Sequence, residues 1–128
     1  MQRGIAAVTR YPSGVRGRMS GMVISNAMSR AVFRAGKMSK ADLLASEHLF
    51  AGLNAFEPGQ AHELHTHAGQ DKLYYVLEGQ GDVTVGEKQS TIGAGDLVLA
   101  RSGEKHALRN PGPGRLVVMV VMSPPPGK

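Results

Sequence analysis

Gly59-Gln60-Ala61-His62-Glu63-Leu64-His65-Thr66-His67 is the stretch on which the reading of this chain turns. On a β-strand successive side chains point to opposite faces. His65 and His67 therefore share a face at roughly 6–7 Å along the backbone, a spacing that suits two ligands of one metal ion. By the same parity Glu63 lies on that face, and His62 points the other way toward solvent. A third histidine, His106, follows Gly103 and precedes Asn110. A fold that brings its strand beside His65 and His67 makes three neutral imidazoles converge. Such a set favours one borderline divalent ion: iron, manganese, nickel, copper or zinc. The chain has no cysteine, so any metal must be held by histidine and carboxylate.

Outward from this stretch the text consists of short alternating runs separated by turn residues, the pattern of an all-β domain. Strands are expected at 31–34, 47–57, 62–67, 72–78, 81–86, 88–92, 97–100, 105–109 and 115–122. Ser39-Lys40-Ala41-Asp42 reads as a helix cap, followed at Leu43–Ser46 by at most one helical turn. Gly79, Gly81, Gly86, Gly93, Gly95, Gly103, Gly112 and Gly114 punctuate the strands, and no helix follows any of them. They read as turn glycines and not as phosphate cradles. Pro124-Pro125-Pro126 cannot continue a sheet and ends the fold. So many short strands in so few residues predict a small barrel or jelly roll, since closure removes exposed sheet edges.

With 128 residues the chain has room for one domain. No stretch approaches 18 consecutive apolar residues, so no membrane-spanning segment is expected. The net charge of +5 is unevenly placed. Residues 1–41 hold eight basic side chains and no acid, whereas residues 42–128 hold seven basic against ten acidic. The high isoelectric point thus belongs to the leader, which lacks the interleaved aromatics of nucleic-acid binders, and no nucleic-acid partner is expected. The expected division is an irregular extension over 1–27, disordered or foreign to the native protein, a single β-barrel domain over 28–123, and a Pro-rich tail over 124–128. The leader has no compact apolar run of a secretory signal. Its Arg-rich, acid-free composition also matches an organellar transit peptide. Together with the absence of cysteine, the missing signal points to the cytoplasm.

The histidine pattern resembles the cupin superfamily. The family's first motif runs Gly, five residues, His-x-His, three or four residues, Glu, six residues, Gly; here Gly59, His65, His67 and Gly79 match. Its second runs Gly, five residues, Pro, one, Gly, two, His, three, Asn; here Gly95, Gly103, His106 and Asn110 match. The resemblance covers roughly residues 47–122. It implies a barrel around one divalent metal on His65, His67 and His106, a small-molecule ligand or substrate, and a homodimer formed by sheet extension.

Two slots depart from the family pattern. Arg101 stands where the family has proline, a cation at the barrel rim that could hold a carboxylate together with Lys72. The glutamate slot falls on Lys72, with Asp71 one place earlier at the shorter permitted spacing. The two neighbours face opposite ways in a regular strand, so Asp71 serves as a fourth ligand only if a bulge turns it inward. Lys72 is either a pocket cation or a surface lysine. Glu63 is either a pocket carboxylate or a rim charge, and Tyr74 is a pocket candidate or a core residue. His48 reads as a surface or packing residue.

Fold alone does not fix function in this family. The leading expectation is a metal-dependent enzyme on a small polar or anionic molecule, with oxygenase-type (dioxygenase) chemistry ahead of isomerase or lyase chemistry. Lys72, Glu63 and Tyr74 are its candidate catalytic groups. The alternative is a non-catalytic module that binds a small molecule or only a structural metal.

Overall fold

The computed structural model describes residues 22–126. Nine strands form two antiparallel sheets: β1 Ser39–Ala45, β2 Phe50–Phe56, β3 Ala61–His65, β4 Asp71–Glu78, β5 Gln80–Val85, β6 Lys88–Gly93, β7 Leu97–Ala100, β8 His106–Arg109 and β9 Leu116–Ser123. One sheet has the order β1-β2-β9-β4-β7 and the other β3-β8-β5-β6. This is the jelly-roll barrel expected from the strand pattern and the family resemblance together, and the strands from β3 onward fall within two residues of their expected bounds.

The strand β9 explains why the C-terminal run Leu116–Met122 is uniformly apolar. It is hydrogen-bonded between β2 and β4, and both its faces are covered. Its inward side chains Leu116, Val118, Val120 and Met122 meet Phe56, Tyr74, Val76, Val83, Ile92 and Leu108 in the space between the sheets. Its outward Val117 joins Leu43, Leu53 and Ala55 in a second cluster. Gly79 allows the close turn from β4 into β5: its φ is 89°, and a Cβ there would collide with the Arg115 carbonyl oxygen.

The N-terminal part departs from expectation. Ala31–Arg34 is not a strand. It crosses the outer face of the five-stranded sheet, where Ile24, Ala27, Met28, Ala31 and Phe33 pack on the second cluster. Arg115 stacks on the Phe33 ring at 4.0 Å, and Gln60 Nε2 donates to the Arg34 carbonyl at 2.8 Å. Ile24 and Ala27, which the sequence reading assigns to the extension, are thus part of this cover; residues 1–21 of that extension lie outside the described residues.

Ser39–Ala45 is a strand and not a capped helical turn. Pairing with β2 lets Ser39, Leu43 and Ala45 be buried, and this outweighs the local capping signal. The expected strand at 47–57 starts at Phe50, because Ser46–Leu49 forms a turn closed by the Ser46 amide donating to the Leu49 carbonyl. His48 sits in that turn, fully exposed. The proline tail does more than end the sheet: Gln70 Nε2 donates to the Pro124 carbonyl, and Pro125 is buried.

Candidate metal centre

His65 and His67 leave the end of β3, and His106 opens β8 directly opposite His65 in the ladder. One ligand nitrogen from each of the three lies within 4.8 Å of the others. The rings of His65 and His106 are 4.1 Å apart between centroids, and those of His65 and His67 are 4.9 Å apart.

Two of the imidazoles are held in a defined orientation. His65 Nδ1 donates to the Glu63 carbonyl at 2.6 Å, and His106 Nδ1 donates to the Glu104 carbonyl at 2.9 Å. Protonation of Nδ1 leaves the lone pair on Nε2, and in both residues Nε2 is buried without any partner. Buried polar atoms are rarely left unsatisfied. Two of them facing a third imidazole form the donor set of a divalent metal site, so the residues fit the ion that their spacing predicts. Burial, reinforced by the neighbouring lysines, holds the imidazoles of His65 and His67 below their ordinary pKa. Burial also pushes His106 down to about 4. Burial thus favours the neutral, ligand-competent form of all three rings.

His62 does not face away. Between His62 and His65 the β3–β8 register shifts: three steps on β3 match two on β8. Such a bulge breaks strict alternation. His62 thereby comes opposite Leu108, with its ring 4.1 Å from that of His65. Burial drives its pKa to about 3, and its Nδ1 has no partner. Parity counting missed this residue because a bulge has no signature in the residues themselves.

The other candidates separate cleanly. Glu63 is exposed, and it serves the site through its backbone carbonyl and not its carboxylate. Asp71 is also exposed; its Oδ1 accepts the Ser102 amide at 2.9 Å, so it braces a turn and does not join the cluster. Arg101 projects from the rim and pairs with Glu104 at 3.3 Å, so it is not aimed at the pocket. Asn110 is buried and structural: its Nδ2 donates to the Phe56 and Gly114 carbonyls, and its Oδ1 accepts from the Gly112 amide.

Lys72 takes the inward position. It is 3% exposed and shares its face of β4 with Tyr74 and Val76. Its Nζ sits 5.0 Å from the centre of the Tyr74 ring. Among the described residues no carboxylate lies within ion-pair distance of it. Burial, with Lys40 adding repulsion, lowers its pKa to about 8. Tyr74 is completely buried 6.2 Å from the His106 ring, its hydroxyl has no partner, and burial raises its pKa. Lys72, His67 and strands β1, β2 and β9 line a cavity of about 250 Å³.

Comparison with known proteins agrees with this geometry. Residues 52–122 match the sequence model of the cupin domain. The chain is 34% identical over 93 residues to an oxalate-binding protein of Thermotoga maritima, covering 68% of this chain and 76% of that one. A crystal structure from Thermus thermophilus superposes with a TM-score of 0.77 at 36% identity, over 80% of this chain and 98% of the other. A second, from Thermotoga maritima and described as a predicted oxalate decarboxylase, gives a TM-score of 0.64 at 30% identity, over 67% and 79%. Among the described residues no helix is long and apolar enough to cross a membrane. By its fold, its histidine cluster and its sequence, the chain belongs to the cupin family.

Proposed function

We propose that this cupin holds one divalent metal ion on His65, His67 and His106 and uses it to bind and transform a small carboxylate. The observation that carries the proposal is the pair of orphaned, pre-oriented Nε2 atoms in the same barrel as a buried ammonium that, among the described residues, has no carboxylate within ion-pair distance. A buried charge without a partner is strongly unfavourable, and a carboxylate in the cavity would satisfy Lys72. The resemblance to an oxalate-binding protein points to the same ligand chemistry.

A bound ion would supply Lewis acidity and, if redox-active, electron transfer, with the positions that three histidines leave open taking substrate oxygens. The chain supplies the rest. The Glu63 and Glu104 carbonyls fix the tautomers of His65 and His106. Lys72 orients the carboxylate, and with a pKa near 8 it can give or take a proton close to neutrality. Tyr74 stays neutral and can only donate a hydrogen bond or accept one. Oxygenative cleavage is the reaction class to test first, ahead of isomerisation and elimination. A carboxylate-binding role without turnover is the second reading, favoured by the name of that relative. The homodimer belongs to the same proposal and is read by sedimentation.

The test is a metal analysis of protein purified without chelator, followed by oxygen-consumption and product assays on small mono- and dicarboxylates. Turnover that a chelator abolishes and one metal restores supports the enzyme. Tight carboxylate binding without turnover supports the binding role. Failure of the metal-loaded protein to bind any carboxylate rejects both.

A further inference from the structure

Lys72 and His67 contribute two of the groups that line the cavity of about 250 Å³. Lys40, Asp42 and Asn54 also face it, and the rest of its lining is apolar, with Phe50, Val120, Met122, Pro125 and Pro126 forming one continuous wall. Phe50 is fitted into this wall on purpose of shape. Its ring lies over Gly52, where a Cβ would stand 2.9 Å from the ring's Cζ, so the glycine makes room for an aromatic surface. Val120 and Met122 of this wall lie within residues 52–122, the span matched to the family, whereas Phe50 and the two prolines flank it.

Size argues the same way. A six-carbon ring fills an apolar cavity of about 150 Å³. Oxalate and pyruvate, with six heavy atoms each, would fill only about 150 Å³ of this cavity and leave its apolar wall uncovered. A ligand of about nine or ten heavy atoms would fill it.

We infer that the preferred ligand is a carboxylate with an apolar body, its charged head between the histidine cluster and Lys72 and its hydrocarbon against Phe50, Val120, Met122 and the proline tail. This rests on the carboxylate reading above and narrows it: small dicarboxylates fit the charge of the site but not its wall. A 2-oxo acid with a branched aliphatic chain is the simplest member of the class.

The experiment compares pyruvate, 4-methyl-2-oxopentanoate and oxalate on the zinc-loaded full chain by calorimetry. Pyruvate and 4-methyl-2-oxopentanoate share one head group and differ by three carbons. Each buried methylene is worth about fourfold in affinity, so the branched acid should bind at least tenfold more tightly. Phe50→Ala should erase most of that preference while leaving pyruvate and zinc affinity within about threefold. Nuclear Overhauser contacts from the ligand methyls to the Met122 methyl and the Phe50 ring are expected without recourse to any variant. Equal binding of the two oxo acids, or tightest binding of oxalate, overturns the inference and leaves the carboxylate reading standing. If zinc binds and none of the three acids does, both fall.

Discussion

Replacing Lys72 by methionine should push metal affinity, stability and anion affinity in directions that no other reading of this residue predicts. Methionine keeps the length and apolar stem of the side chain and removes the charge. A unit charge and a divalent ion lining one pocket repel by a few kcal/mol at an effective dielectric of about 20. Solvent in the cavity and movement of the flexible stem relieve much of this. The variant should still bind zinc at least about tenfold more tightly, equivalent to ~1.4 kcal/mol. The metal-free protein should also gain stability. Burial lowers the lysine's pKa from 10.5 to about 8, so between these values the unfolded chain binds more protons and stability rises with pH. The penalty is fully present below pH 8 and gone above 10.5, and at pH 7 it amounts to about 3 kcal/mol. Loss of the contact with the Tyr74 ring returns up to about 1 kcal/mol, for a net gain near 2 kcal/mol. Carboxylate affinity of the zinc form should fall at least about tenfold. Competition against a chromophoric chelator, urea unfolding at pH 7 and 9.5, and calorimetry with oxalate or an oxo acid read the three effects. Unchanged zinc affinity together with lower stability would show that Lys72 is a structural residue remote from the metal, and would refute the reasoning.

His106→Ala should remove most bound metal while the barrel still folds, because the site is assembled on strands paired elsewhere; His48→Ala should keep full metal content, and elemental analysis with circular dichroism separates the two. Asp71→Asn should change zinc affinity less than about twofold, since its carboxylate already accepts the Ser102 amide; a large loss would make it a ligand after all. Phe33→Ala should cost about 2–3 kcal/mol in denaturant unfolding, as it uncovers the outer cluster and removes the Arg115 contact. In acid the metal-free protein should lose stability progressively below pH 6.5. Its buried His62 and His106 titrate near 3 and 4 in the folded state, so the unfolded chain takes up the extra protons. A flat profile from pH 6.5 to 4.5 would contradict that burial.

What the sequence discloses of this fold follows from the reach of each signal. The strands from β3 to β9 are legible because turn glycines and alternating burial are local properties. The HxH spacing is local in the same way, whereas His106 joins the cluster through the resemblance to the cupin motifs and the β3–β8 pairing. Ser39–Ala45 is not legible, since its cap-like start competes with a pairing to β2 that only the folded chain supplies. His62 escapes because the bulge that turns it inward depends on β8, a distant strand. Asp71 and Lys72 are legible only in part: parity sets the two on opposite faces, whereas the burial of Lys72 and the Ser102 contact of Asp71 show which of them turns inward. The apolar wall is invisible in the same way, being assembled from Phe50, β9 and the proline tail.

The central claim is that three imidazoles, each through Nε2 in the two carbonyl-anchored rings, form the metal site without a protein carboxylate. Long-range proton–nitrogen correlation spectra of the zinc-loaded, nitrogen-15-labelled protein test it most directly. The account predicts metal-shifted Nε2 signals with retained Nδ1 protons for His65 and His106, a third shifted ring from His67, and none from His62 or His48. Metal on Nδ1 of His65 or His106, or a shifted ring other than these three, would contradict it.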